Sequence, residues 1–111
     1  MLFKRREVNP YSVTDKAVFR NVDKTLALYV RADASALVIG LKKAQDYLAT
    51  LNDESDEDEK RTGARRMASA IFGDEQAQKL LDFYPDPLTV ITACGIYIGT
   101  LAPKIVKAQK R

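Results

Sequence analysis

Residues 25–51 read TLALYVRADASALVIGLKKAQDYLATL, and the spacing of their hydrophobic residues changes once, at Asp33. Before Asp33 the apolar positions alternate, as in a half-buried strand, and they are Leu26, Leu28 and Val30. After it they recur at intervals of four and three, as on one stripe of a helix: Leu37, Leu41, Ala44, Leu48 and Leu51. Asp33 is also a favourable N-cap. The stretch therefore predicts a strand over 25–31 followed by a helix over 34–51.

The segment before this strand has the composition of a hairpin partner. Residues 16–20 contain Val18 and Phe19, and the turn-prone Asn21-Val22-Asp23 connects them to the strand over 25–31. We therefore expect a β-hairpin within a β segment over 11–32. Two strands alone are marginal in water, so helices or a neighbouring subunit must cover the apolar face of this hairpin.

An acidic segment follows the first predicted helix, and six of the eight residues in 52–59 are Asp or Glu. One interpretation is a cation site, since carboxylates bind calcium and magnesium, but the glycine-bearing spacing of an EF-hand loop is absent. The other is a solvated linker whose second half starts a helix, where the helix dipole favours negative charge. We expect the linker, with the basic side chains that follow pairing at helical offsets: Arg61, Arg65 and Arg66.

Glycine and aspartate mark the boundary between the next two helices. The helix that starts in the acidic segment is expected to run to Phe72, where Gly73 supplies its stop. Asp74 then restarts a helix as its cap, and this helix ends near Phe83.

A proline-rich turn over 84–87 precedes the last predicted helix. Within it, Asp86 followed by Pro87 is a cap followed by a proline at the first helical position, which predicts a helix over 87–101. Pro103 is expected to break or kink the chain after that helix, because proline lacks the backbone N–H that a helix interior uses.

This last helix has no charged residue over 88–102, and its apolar side chains point in nearly every direction. Such a helix is expected to be buried on all sides, and the run is shorter than the roughly 20 residues that span a bilayer. Gly95 and Gly99 form a small-xxx-small pair, a spacing that favours close approach of another backbone. Two interpretations remain open: a partner subunit or bound segment covers part of the helix, or it is the core helix of a monomer.

Composition restricts the chemistry that the chain can perform. Its 111 residues, 12.4 kDa, are 46% hydrophobic and 30% charged, as expected for one soluble domain over 1–111. Histidine is absent and Cys94 is the only cysteine, which excludes histidine-based catalysis, Cys/His zinc sites and an intramolecular disulfide. No phosphate-binding glycine motif occurs. We expect no catalytic residue, cofactor or metal, and a single thiol fits a reducing, cytoplasmic setting.

Charge is segregated along the chain. A basic cluster over 4–6 lies in a segment, 1–10, that we expect to be a flexible or partner-docked arm, and further basic residues lie over 104–111. These basic ends complement the acidic residues over 53–59 and favour contacts between copies. The net charge of +3 and the pI near 9.0 are too mild to imply nucleic-acid binding.

Three short segments of the C-terminal half resemble a known family. They are Ile71-Phe72-Gly73-Asp74-Glu75-Gln76, Leu81-Asp82-Phe83-Tyr84 and Leu101-Ala102-Pro103-Lys104-Ile105. They are similar to the tail assembly chaperones of long-tailed bacteriophages, and the likeness covers about 17–108. That resemblance implies a short N-terminal β segment and a helical C-terminal part. It also implies a self-associating protein of the host-cell cytoplasm that coats the tape measure protein until tail tube protein polymerises around it.

The sequence thus predicts an α+β, mainly helical fold, with an N-terminal hairpin, a helical part over 33–111 and four to five helices. We expect a non-enzymatic, homo-oligomeric chaperone that binds neither nucleic acid nor membrane. Its candidate partner-binding residues are Ile91, Gly95, Tyr97, Ile98, Gly99 and Leu101. The alternative is a small nucleic-acid-binding regulatory protein that uses a helix and the basic termini. Membrane-surface attachment is disfavoured, because the last helix lacks the charged face that such helices use.

Overall fold

The computed structural model describes residues 11–110 and confirms the α+β, mainly helical class. An antiparallel hairpin is followed by four helices, and the expected arm over 1–10 lies outside the described residues. The elements are β1 (Ser12–Asn21), β2 (Lys24–Asp33), α1 (Ala34–Leu48), α2 (Glu57–Phe72), α3 (Asp74–Phe83) and α4 (Pro87–Gln109).

Both strands are longer than the sequence predicts. The register pairs Ser12 with Asp33 at one end and Asn21 with Lys24 at the other, and a 2.7 Å backbone bond from Ala34 to Tyr11 extends it. The apolar alternation of β1 is interrupted because Asp15 occupies one of the inward positions, between buried Val13 and Ala17. Because this inward position holds a carboxylate, the pattern of hydrophobic residues does not reveal the first half of the strand.

The ends of helices α1 to α3 agree with the local sequence signals except at two positions. Helix α1 ends at Leu48 rather than 51, because tight turns replace helical bonding, with Leu51 N–H donating to the Leu48 carbonyl at 3.0 Å. Gly73, with a φ of 86°, stops α2 as predicted, but it is also the N-cap of α3. Asp74 is therefore the first residue of α3 and not its cap, and no side chain caps that helix.

The acidic segment is divided between a loop and a helix. Helix α2 begins at Glu57, so the last three acidic residues occupy its first turn. Asp56 and Glu59 form a capping box in which each side chain accepts a hydrogen bond from the other's backbone N–H, at 2.8 and 3.0 Å. The negative charge thus lies where the helix dipole stabilises it.

Helix α4 does not end at Pro103, which corrects the expected break. It begins after the Asp86 cap as predicted, continues through Pro103 and ends at Gln109. A proline leaves the carbonyl four residues earlier, that of Gly99, without its helical donor. Both Pro103 and Gly99 are exposed, so water can reach this carbonyl, and the helix tolerates the proline.

The core lies between the inner face of the hairpin and the helices. Phe19 of β1 is central to it, with its ring centroid 5.9 Å from Phe72, 6.2 Å from Tyr97 and 6.4 Å from Tyr84. Helices of the same protomer therefore cover the apolar face of the hairpin. This cover supplies the stability that a two-stranded sheet lacks on its own in water.

Candidate interaction surface on helix α4

Helix α4 has one buried and one exposed face, so it is not the fully buried core helix of this protomer, and coverage of its other side by a partner stays a prediction. Its buried residues are three, four or seven positions apart: Pro87, Val90, Cys94, Leu101, Ile105 and Ala108. This spacing is that of a helix packed on one side only. The apolar composition of the helix therefore exceeds what its own protomer buries.

The opposite side, here called the α4 outer face, carries no charged residue. It consists of Leu88, Thr92, Gly95, Ile96, Gly99, Pro103 and Val106, all of them exposed. Ile96 is 71% exposed, Leu88 52% and Val106 48%. Single exposed apolar residues are ordinary, but a continuous uncharged stripe along a helix is typical of an interaction surface.

A shallow groove of about 340 Å³ lies at the N-terminal end of this face. It is lined by Tyr84, Asp86, Leu88, Thr89, Thr92, Ala93 and Ile96. Most of this lining is apolar or carries only a hydroxyl, so the groove suits an apolar side chain from a partner rather than a charged ligand.

The six residues singled out from sequence are divided among three environments. Leu101 is fully buried in the protomer core and is not accessible to a partner while the fold is intact. Ile91, Tyr97 and Ile98 are half-buried and pack against the core. Gly95 and Gly99 lie on the outer face, so only these two of the six are fully presented to a partner.

The two glycines leave open space in the protomer. A Cβ atom built on Gly95 or on Gly99 meets nothing within 4 Å. The close backbone approach that their spacing favours is therefore not made within residues 11–110, and partner binding at these positions stays a prediction.

Sequence reasoning missed three large side chains of the outer face, Leu88, Ile96 and Val106. These three residues belong to a second stripe of helical spacing, displaced by half a turn from the buried stripe, and this spacing is the sequence signal that could have identified them. Over 88–103, where the helix has no charged residue, both stripes look alike, so hydrophobicity alone does not tell which one faces the core.

A polar contact fixes which stripe faces inward. The Tyr97 hydroxyl donates a 2.6 Å hydrogen bond to Oδ2 of Asp15, and Lys104 Nζ lies 2.6 Å from Oδ1 of the same carboxylate. The hydrogen bond from Lys104, followed by that from Tyr97, holds the pKa of Asp15 below its usual 3.8. Burial, and then the bond to Asp15, raises the pKa of Tyr97. These contacts attach α4 to β1 with the outer face turned away.

Cys94 lies on the buried side of α4. Burial raises the pKa of its thiol to about 12, so it stays protonated and unreactive at neutral pH. Within residues 11–110, no three cysteine or carboxylate side chains come together as a metal-binding group.

Helix α4 passes a length and composition test for crossing a membrane. It has 23 residues, and its most apolar window has a mean hydropathy of 1.5. A core helix passes the same test, and here one side of α4 is already occupied by packing against the protomer. The run is longer than the sequence predicts because Pro103 does not end it.

Comparisons with protein-family models, with curated proteins and with solved structures found no match to this chain. The resemblance to tail assembly chaperones therefore depends on the three short segments of the sequence, and the function it implies is a proposal.

Proposed function

We propose that this protein is a non-enzymatic assembly chaperone that associates with itself and binds the tape measure protein of a long-tailed phage in the host-cell cytoplasm. The observation that carries the proposal is the α4 outer face, an uncharged stripe of exposed residues from Leu88 to Val106. Such a stripe binds polypeptide by burying apolar area and needs no reactive group.

The mechanism that we propose is reversible burial. Each Å² of apolar surface removed from water contributes roughly 25 cal/mol, so a single helical stripe gives weak binding once the cost of association is subtracted. Many copies along one extended client add their contacts through effective concentration. Weak individual contacts also let tail tube protein displace the chaperone, as its role requires.

The form of the outer face supports an apolar helix as its occupant. Gly95 and Gly99 leave room for a second backbone in the middle of the stripe, beside Ile96. A helix of the client or α4 of another copy fits this surface by the same physics, since both present apolar side chains at helical spacing.

Co-expression with a long, coiled-coil-rich neighbouring gene product tests this function. We expect the wild-type chain to raise the soluble fraction of that product and Ile96→Asp to abolish the effect. The matched control is Ile39→Asp on α1, which alters an isoleucine that is 56% exposed. Circular dichroism checks that both variants fold. Equal solubilisation by wild type and Ile96→Asp would contradict the proposal.

A further inference from the structure

The solvent side of the hairpin carries unpaired positive charge. The side chains on this surface, here called the hairpin outer face, are Thr14, Lys16, Val18, Arg20, Thr25, Ala27, Tyr29 and Arg31, each from the outward positions of the alternating strands. Three of the eight are cations. The outward series continues at one end to Ser12 and to Asp33, whose carboxylate caps α1 by accepting the Ser35 N–H at 3.1 Å. The carboxylate of Asp15 is on the other side, where it binds Tyr97 and Lys104.

The register brings these groups together. Lys16 lies directly opposite Tyr29, and Arg31 lies two residues further along β2, opposite Thr14. Directly opposed side chains have Cβ atoms about 5 Å apart, so the two cations flank the exposed Tyr29 ring. A shallow groove of about 410 Å³ opens here, lined by Thr14, Tyr29 and Arg31 of the outer face and by Asp15 and Val30 of the inward positions. None of the salt bridges within residues 11–110 involves Lys16, Arg20 or Arg31.

The complementary charge lies at the other end of the helices. The acidic tip comprises Asp53, Glu54, Asp56, Glu57, Asp58 and Glu59, in the α1–α2 connection and the first turn of α2. Within the described chain, Glu57 is the only one in a salt bridge, with Arg61 at 3.8 Å. The tip is thus mostly unpaired.

The two surfaces do not meet within one protomer. Helix α2 is 16 residues long, about 24 Å at 1.5 Å per residue, and it runs from the tip to Phe72, which packs against Phe19 under the sheet. The hairpin outer face points away from that packing. The tip and the face are therefore separated by the length of a helix and by the sheet itself.

We infer that the hairpin outer face of one copy binds the acidic tip of a second copy. This inference rests on the self-association in the proposed function and names one of its contacts. The contact joins two different surfaces, so it is head-to-tail, and it repeats into a ring or an open filament. A face of eight residues is smaller than a standard interface, so each contact is weak, salt-sensitive and dependent on repetition.

Nucleic acid is the competing occupant of a cationic, tyrosine-bearing face. Three cations would neutralise about three phosphates, whereas strongly salt-dependent nucleic-acid binding involves about 6–10 such contacts. The chain's own acidic tip therefore complements the face better than nucleic acid does.

Charge reversal on each surface tests the contact. The face variant is Lys16→Glu/Arg31→Glu, and the tip variant is Asp53→Lys/Glu54→Lys/Glu57→Lys/Asp58→Lys, which makes the tip basic and spares the capping box of Asp56 and Glu59. Sedimentation velocity of the full chain gives the weight-average mass at low and high salt. We expect wild type to associate at low salt and to lose mass at high salt, and each variant alone to lose that association.

Mixing the two variants is the decisive measurement. The face variant then offers an acidic face and an acidic tip, and the tip variant offers basic ones, so two contacts of opposite charge form again. We expect the equimolar mixture to at least double the weight-average mass of either variant alone. The control is Lys43→Glu/Lys79→Glu, which makes the same charge change elsewhere on the surface and should associate like wild type.

The remaining outcomes overturn the inference in distinguishable ways. A mixture with no more mass than either variant alone, or a face variant that behaves like the control, eliminates this contact, and any association that remains is assigned to α4. A face variant with wild-type mass that loses binding to a fluorescent oligonucleotide assigns the face to nucleic acid. A wild-type chain that is a monomer at low salt overturns both this contact and the self-association proposed above.

Discussion

The hydroxyl of Tyr97 in α4 donates a 2.6 Å hydrogen bond to the carboxylate of Asp15 in β1, 82 positions earlier in the chain. The Tyr97 ring also stacks on Phe72 at 5.6 Å between centroids. One residue thus attaches the last helix to both the sheet and α2. This attachment sets the rotation of α4 about its axis and leaves the uncharged stripe in solvent.

Removing the hydroxyl tests how much this bond stabilises the fold. Tyr97→Phe keeps the ring contacts with Phe19 and Phe72 but leaves Asp15 with Lys104 as its main partner. Because hydrogen bonds to charged groups contribute about 1.5–3 kcal/mol, we expect the free energy of unfolding to fall by about 2 kcal/mol. Urea denaturation gives this value. Tyr29→Phe is the control, and a shift of equal size there would show that the bond is not responsible.

The Asp15 carboxylate makes stability depend on pH. Its pKa in the folded protein is lowered from 3.8 by the bonds from Lys104 and Tyr97, so the folded state favours the ionised form. That contribution is fully present above the unfolded pKa of 3.8 and is lost as pH falls through the lower folded pKa. We expect Asp15→Asn to be less stable than wild type at pH 7, with the difference narrowing in acid. Urea midpoints measured from neutral to acidic pH check this, and a constant difference would contradict it.

The outer-face glycines should separate protomer stability from association. A Cβ at Gly95 or Gly99 meets nothing within 4 Å, and alanine is favoured over glycine in a helix by about 1 kcal/mol. Gly95→Ala/Gly99→Ala should therefore raise the thermal midpoint of the protomer while lowering the sedimentation mass of the assembly. Gly40→Ala provides the contrast, because its Cβ would lie 3.3 Å from Ala70 inside the α1–α2 contact. Unchanged association in the double variant would exclude a close backbone approach at this site.

The hairpin turn stores strain at Val22. Its φ of 59° is unusual for a β-branched residue, and its side chain is 97% exposed and gains nothing from packing. Glycine adopts this conformation without steric cost, so Val22→Gly should stabilise the fold by about 1 kcal/mol. Val18→Gly, at an exposed strand position of the same hairpin, should destabilise it. Chemical denaturation of both variants measures these shifts, and a loss of stability in Val22→Gly would refute the strain argument.

Local signals placed most of the helices and their ends. Asp33 and Asp86 are N-caps and Gly73 is a stop, as predicted, because capping depends on side chains and backbone within a few residues. The length of β1 was underestimated because Asp15 interrupts its hydrophobic pattern. The inward position of Asp15 is stabilised by Tyr97 and Lys104, which come from the far end of the chain. The break predicted at Pro103 was wrong for a related reason. The free-energy cost of a proline inside a helix depends on whether water reaches the Gly99 carbonyl, which is a property of the folded surface.

The order of elements, the class of fold and the absence of charge over 88–103 follow from residue type and spacing, which act over one or two turns of chain. The face of α4 that enters the core follows only from the three-dimensional packing, because a helix that is apolar on every side carries no directional pattern. Long-range contacts of Tyr97 and Lys104 with Asp15 break that symmetry. Leu101 thereby becomes a core residue, and Ile96 becomes the most exposed large hydrophobic side chain of the helix.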